Sequence, residues 1–265
     1  MSTAGPLALP SPAGVAAEGA VARVVRTPTL FCLATLTITV TGLALDHFAN
    51  LSVQMLLALC TWGFLAIAFV YLTPMERAQT SVVVLVATCA EIIGSVIWGV
   101  YTYRLGNLPL FVPPGHGLVY LTGLSLTQTS LVSRHQRAFL VTVAALALGW
   151  AVAGLTVLPR VDASGALGMS VFLLFLWRGR ARVLYGAVFL VVAVLEISGT
   201  AVGVWAWKDV VPGLQLPSGN PPSGAASGYV LFDIVAIAVT ARLFSLWQAR
   251  QRGGQAPLVH PPLEP

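Results

Sequence analysis

Charge is what this chain has least of. Only 9% of its residues are Asp, Glu, Lys or Arg, against about 25% in an ordinary soluble domain. With 57% hydrophobic residues, that scarcity excludes a water-soluble globular fold. Cysteine is scarce too. Cys32, Cys60 and Cys89 stand at unrelated spacings inside apolar stretches, which excludes a disulfide framework or a zinc site and leaves small packing residues. The histidines His47, His116, His135 and His260 are too scattered for a metal site. No HExxH, Walker A, GxSxG or Rossmann glycine pattern occurs, so neither a metal nor a cofactor is expected. No basic segment precedes a short apolar core, so no secretory signal is read.

What is present are apolar runs long enough to cross about 30 Å of hydrocarbon as helices. They predict an all-α polytopic transmembrane bundle with eight spans, near Pro28–Leu45, Leu51–Leu72, Ser81–Tyr101, Gly117–Val132, Ala138–Leu158, Gly165–Trp177, Val183–Trp207 and Ala226–Trp247. The fourth and sixth are short. Residues 1–26 and 248–265, rich in Ala, Gly and Pro, read as disordered tails. Residues 27–132 and 133–247 read as two four-span halves.

Charge placement orients this arrangement. With a cytoplasmic N-terminus, the inner segments hold 11 of the 14 basic residues, among them Arg77, Arg134, Arg178, Arg180 and Arg182. The other three, Arg104, Arg160 and Lys208, fall in the outer loops. This positive-inside bias predicts a cell-membrane protein with both termini in the cytoplasm. It also accounts for the net charge of +5, so the basic balance calls for no nucleic-acid partner.

Two glutamates interrupt otherwise uncharged spans. Glu91-Ile92-Ile93-Gly94 is followed by Trp98-Gly99 and Tyr101-Thr102-Tyr103, and Glu196-Ile197-Ser198-Gly199 by Gly203 and Trp205-Ala206-Trp207. Each block runs into a loop with a Pro-Pro pair, Pro113-Pro114 or Pro221-Pro222, and then a tyrosine, Tyr120 or Tyr229. Asp46 and Asp162 take matching places earlier in the two halves. The recurrence suggests a parallel four-plus-four repeat about an axis along the membrane normal. The second aromatic pair comes one residue sooner after its glutamate than the first.

A carboxylate in hydrocarbon costs about 2.5–3.5 kcal/mol on insertion scales, so a chain bearing it twice at matching places is expected to have built a site around the pair. Thr88, Glu91, Ser95 and Trp98 share one helical face, and Glu196, Gly199, Thr200, Gly203 and Trp207 another. Gly199 and Gly203 read as a small-xxx-small pair for close helix approach. Both glutamates are therefore expected inside the bundle, on facing helices at similar depth. A buried carboxyl group can keep its proton near neutral pH and act in proton transfer, and a histidine can relay protons there.

Glu91, Glu196 and His116 are accordingly the catalytic candidates. Trp98, Tyr103, Arg104, Asn107, Trp207, Asn220, Tyr229 and Asp233, at the outer mouth and its proline-rich lids, are the substrate-binding candidates. The bland alternatives are an interfacial aromatic belt, a capping histidine and structural carboxyl groups. Three function classes follow: an enzyme or lipid-handling protein acting on an apolar substrate, a proton-coupled transporter, or a structural subunit of a membrane complex. The partners expected are membrane lipids.

The stretch Glu91-x-x-Gly94, Gly99-x-Tyr101-x-Tyr103-x-Leu105-Gly106, then Pro109 and Pro113, resembles the core motif of membrane-integral carotenoid-biosynthesis hydratases. The resemblance implies an isoprenoid substrate and makes Glu91 the acid/base residue.

Overall fold

The computed structural model describes residues 12–253, and the first element it shows is a helix where the sequence suggested an irregular tail. Helix α1 spans Pro12–Arg26. Val25 packs on the core, and the Arg26 guanidinium lies 5.4 Å from the Tyr71 ring centre. Residues 1–11 and 254–265, which hold the rest of the two expected tails, lie outside the described residues.

Helices α2 (Pro28–Phe48), α3 (Leu51–Tyr71) and α4 (Pro74–Glu91) follow with very short links. The links are short because the caps are local. Asn50 accepts from the Val53 amide at 3.0 Å. Thr73 and Glu76 form a reciprocal capping box with Pro74 in the first turn, which satisfies amides that would otherwise be stranded at a helix start. Beyond Glu91 the helix widens into a π-helical segment, Ile92–Trp98.

Next come α5 (Val112–Gln128) and the short α6 (Ser130–Arg134), which close the first half, and then α7 (Gln136–Thr156), α8 (Ala163–Arg178), α9 (Arg182–Ala201) and α10 (Ala226–Gly253). Six helices are long and apolar enough to cross a membrane: α2, α3, α4 with its π-helical end, α7, α9 and α10. Helix α8 is apolar but shorter, as expected of the sixth span.

Several expected boundaries move. The fourth expected span is α5, which starts at Val112 and not Gly117, because Pro113 and Pro114 lie in its first turn, where a missing amide costs nothing. The seventh stops at Ala201. The residues assigned to its end form instead a strand, β2 (Trp205–Trp207), paired antiparallel with β1 (Tyr101–Tyr103). A second small ribbon joins β3 (Val210–Val211) to β4 (Leu216–Pro217).

Helix α5 is the hub. It packs on α2, α3, α4 and α9, while α10 packs on α4, α8 and α9. The core gathers on these helices: Tyr120, Phe172 and Phe189 are almost fully buried, and the two phenylalanine rings stack at 4.8 Å. Helices α4 and α9 make no extensive contact with each other. The expectation of two glutamate helices packed face to face is therefore corrected: α5 and α10 bridge them.

Candidate functional site in the bundle

The two glutamate blocks meet through the β1–β2 ribbon. Gly99 and Gly203, with φ of 70° and 72°, turn the chain out of α4 and α9. Only glycine adopts that left-handed turn without steric cost. In each strand the aromatic residues alternate, so both rings of a pair point to one side. The register sets Tyr101 against Trp207 and Tyr103 against Trp205.

Both rings of a pair bond the glutamate of their own half. Tyr101 and Tyr103 donate to Glu91 Oε2 at 2.6 and 2.7 Å. The Trp205 and Trp207 indoles donate to Glu196 Oε2 at 3.0 and 3.1 Å. Burial, then the neighbouring Glu91 carboxylate, push both tyrosine phenols well up. They therefore remain O–H donors across the ordinary pH range.

The glycine of each Glu-x-x-Gly block has its reason here. It sits on the glutamate's face one turn on, under the incoming ring. A Cβ at Gly94 would come within 3.2 Å of Tyr101, and a Cβ at Gly199 would overlap the Trp205 ring. Gly199 thus admits an indole, and Gly203 lies outside the helix, so the expected small-xxx-small helix contact is corrected. The π-helical segment accounts for the one-residue offset between the halves. Its wider turns take up one more residue between Glu91 and Gly99 than the α-helix does between Glu196 and Gly203. Of the expected shared face, Glu91 and Trp98 line the cavity while Thr88 and Ser95 do not: Ser95 bonds back to the Glu91 carbonyl and Thr88 to that of Val84, and Trp98 also donates to the Pro212 carbonyl at 2.9 Å.

The carboxyl groups are not served alike. Glu91 has a third partner, His116 Nε2 at 3.0 Å from Oε1. His116 lies in the first turns of α5, 4% exposed, with its ring against Tyr229 at 4.9 Å and its Nδ1 unpartnered among the described residues. Glu196, also 4% exposed, receives both indoles on Oε2. No protein donor among the described residues reaches its Oε1.

Both glutamates and His116 line one cavity of about 540 Å³, over the N-terminal half of α5 and under the β1–β2 ribbon. The rest of its wall is mostly apolar, with Leu118, Leu195 and Phe232 among the side chains. The site lies near the ribbon end of the bundle and not at mid-span, since Glu196 is five residues from the end of α9.

Of the other expected site residues, Trp98, Tyr103, Trp207 and Tyr229 line the cavity. Arg104, Asn107, Asn220 and Asp233 do not. The first three hold the loops that carry the ribbon. Arg104 caps the end of α2 through the Asp46 and Ala49 carbonyls. Asn107 donates to Gln54 at 2.7 Å, and Gln54 to Asp46 at 3.0 Å. Asn220 accepts from the Trp207 amide at 3.0 Å. Asp233 is buried in α10, and its Oδ2 has no partner among the described residues. Tyr101 and Trp205 were missing from the sequence-based site. Their signal was the alternating aromatic pair at nearly equal distance from each glutamate.

The fit of Gly199 beneath Trp205 gives a graded test. Gly199→Ala is expected to cost about 2–3 kcal/mol and displace the indole, because overpacking a filled site costs about 1–3 kcal/mol. Gly94→Ala, with its larger gap, is expected to cost less. Thermal unfolding in detergent with tryptophan emission as the probe would show this order. Equal, negligible shifts would contradict the packing.

Among the described residues no group of three or more His, Cys, Asp or Glu could hold a metal ion. Compared with family models, curated proteins and solved structures, the chain matches none.

Proposed function

We propose that this multi-pass membrane protein is an acid/base enzyme acting on a carbon–carbon double bond of an apolar, isoprenoid-type substrate. The observation that carries the reading is the pair of carboxyl groups on one apolar cavity with unequal partners. Glu91, with two phenol donors fixed on one oxygen and His116 against the other, is suited to accept a proton. Glu196, with one oxygen free of protein donors, is suited to hold a proton and give it up.

The step balances as follows. Glu196 Oε1–H protonates one alkene carbon and leaves positive charge on the other. Water attacks that carbon and gives its proton to Glu91 and His116. The net change is the addition of water, and exchange with solvent returns the proton to Glu196. If Glu91 instead removes a proton from the adjacent carbon, the double bond moves. The Trp207 and Tyr229 rings in the wall offer electron-rich faces to the transient cation. Water addition to an isoprenoid is also what the local resemblance around Glu91 implies.

The protein reconstituted in nanodiscs with a cellular neutral-lipid extract should yield, by mass spectrometry, an isoprenoid heavier by one water or an isomer of unchanged mass. An extract left unaltered in composition would overturn the proposal.

The same reading takes the six long apolar helices together with the shorter α5 and α8 as eight spans, with both termini on the arginine-rich, cytoplasmic side. A cysteine at Arg180 should stay unlabelled by an impermeant thiol reagent applied outside whole cells. Labelling there would invert or break that topology.

A further inference from the structure

The cavity is closed on one side and open on another. The ribbon roofs it, and Asp46, through Arg104, and Asp162 tether the loops on either side of that roof. The exposed members of the wall show where the mouth is. Ile38 is 45% exposed, Ile93 53% and Trp98 46%, and Cys60 is exposed as well. They lie on α2, α3 and the π-helical end of α4, whereas the wall residues on α5, α9, α10 and the ribbon are buried or half-buried.

Helix contacts agree. Helices α3 and α4 both pack on α5 but make no extensive contact with each other, although they are consecutive in the chain. The gap between them is flanked by Cys60 on one side and by Ile93 and Trp98 on the other. All of these lie within helices apolar enough to span a membrane, so the gap faces hydrocarbon.

We propose that the cleft between α3 and α4 is a lateral portal through which the hydrocarbon chain of a membrane-dissolved isoprenoid enters from the bilayer. The portal rests on the reading of the cavity as an isoprenoid site and adds the route to it. A substrate arriving this way never leaves hydrocarbon, and only its reacting segment meets the polar groups beneath the ribbon.

The native cysteines supply the test. Cys60 lines the portal, while Cys89 on α4 is exposed but lies outside the cavity wall. Two variants, Cys89→Ala (keeping Cys60) and Cys60→Ala (keeping Cys89), are placed in nanodiscs and treated with apolar pyrene maleimide or a charged, water-soluble methanethiosulfonate. Squalene is the hydrocarbon probe, and its retention by the protein is read by mass spectrometry after lipid exchange.

The pyrene reagent should modify Cys60 at least tenfold faster than the charged reagent does. Squalene should slow the Cys60 reaction and leave Cys89 unaffected. Pyrene on Cys60 should abolish squalene retention, and pyrene on Cys89 should not. Equal modification of Cys60 from water, or squalene retention unchanged by pyrene at Cys60, would overturn the portal. Isoprenoid conversion that persists with Cys60 blocked would sink the portal alone. Squalene protection in a protein that performs no conversion would keep the portal and sink the enzyme reading.

Discussion

Glu196→Gln is expected to insert and fold like the parent and to lose isoprenoid conversion by at least about a hundred-fold, since general acid–base groups contribute about 10²–10⁴-fold. Glutamine keeps the shape of the side chain and an oxygen for the Trp205 and Trp207 indoles, but it has no transferable proton. Glu91→Gln should lose a comparable factor for a different reason: an amide cannot take a proton from water, and its N–H₂ can donate to His116 Nε2 only if that ring shifts its proton to Nδ1. Some loss of stability is therefore expected for Glu91→Gln and little for Glu196→Gln. Alanine at either place would confuse the issue, because it leaves a cavity and orphaned donors at once. Unfolding midpoints in detergent and conversion rates, measured together, separate the two contributions. Full conversion by a well-folded Glu196→Gln protein would remove the acid role.

The largest stability effect is expected outside the cavity wall, at Asp162. This residue, 1% exposed, accepts from three backbone amides at once and ties the start of α8 to the loop before α10. Its Oδ1 caps α8 through the Gly165 amide at 3.0 Å and takes the Gly219 amide at 2.8 Å, while Oδ2 takes the Ser223 amide at 2.7 Å. Asp162→Ala strands all three amides, each at about 1–3 kcal/mol when buried. A loss of about 3 kcal/mol or more is expected, with Asp162→Asn recovering part of it through the remaining oxygen. Denaturation in mixed micelles measures this. A shift within about 0.5 kcal/mol, typical of surface changes, would mean that the loop is held some other way.

The sequence pattern carried the membrane class and most of the main helices, and it marked both glutamates and His116, which the structure places on one cavity. Hydrophobic run length fixes the helices, and the cost of a buried carboxylate marks the glutamates. It did not carry the ribbon. Tyr101 and Trp207 are far apart along the chain, and their pairing depends on two left-handed glycine turns at the ends of different helices. The four aromatic rings therefore resembled an interfacial belt, although two alternating pairs at matched distance from two glutamates are hard to reconcile with a belt. Arg104, Asn107 and Asn220 were placed in the site because they lie beside it in sequence. Their bonds run to Asp46, Gln54 and the strand backbone instead. Pro113 and Pro114 marked a loop by composition, yet they begin α5, because proline serves both roles equally well.

The central claim is that two carboxyl groups on one cavity move protons to and from carbon. Its most direct measurement is incorporation of deuterium from D₂O into carbon positions of nanodisc isoprenoids. Parent, Glu91→Gln, Glu196→Gln and the double variant would be compared side by side. The account predicts carbon-bound deuterium with the parent, a large loss in each single variant, and a double variant no worse than the poorer single, as for groups that act as a unit. A folded parent that leaves no deuterium on carbon, or a double variant that labels as the parent does, would contradict it.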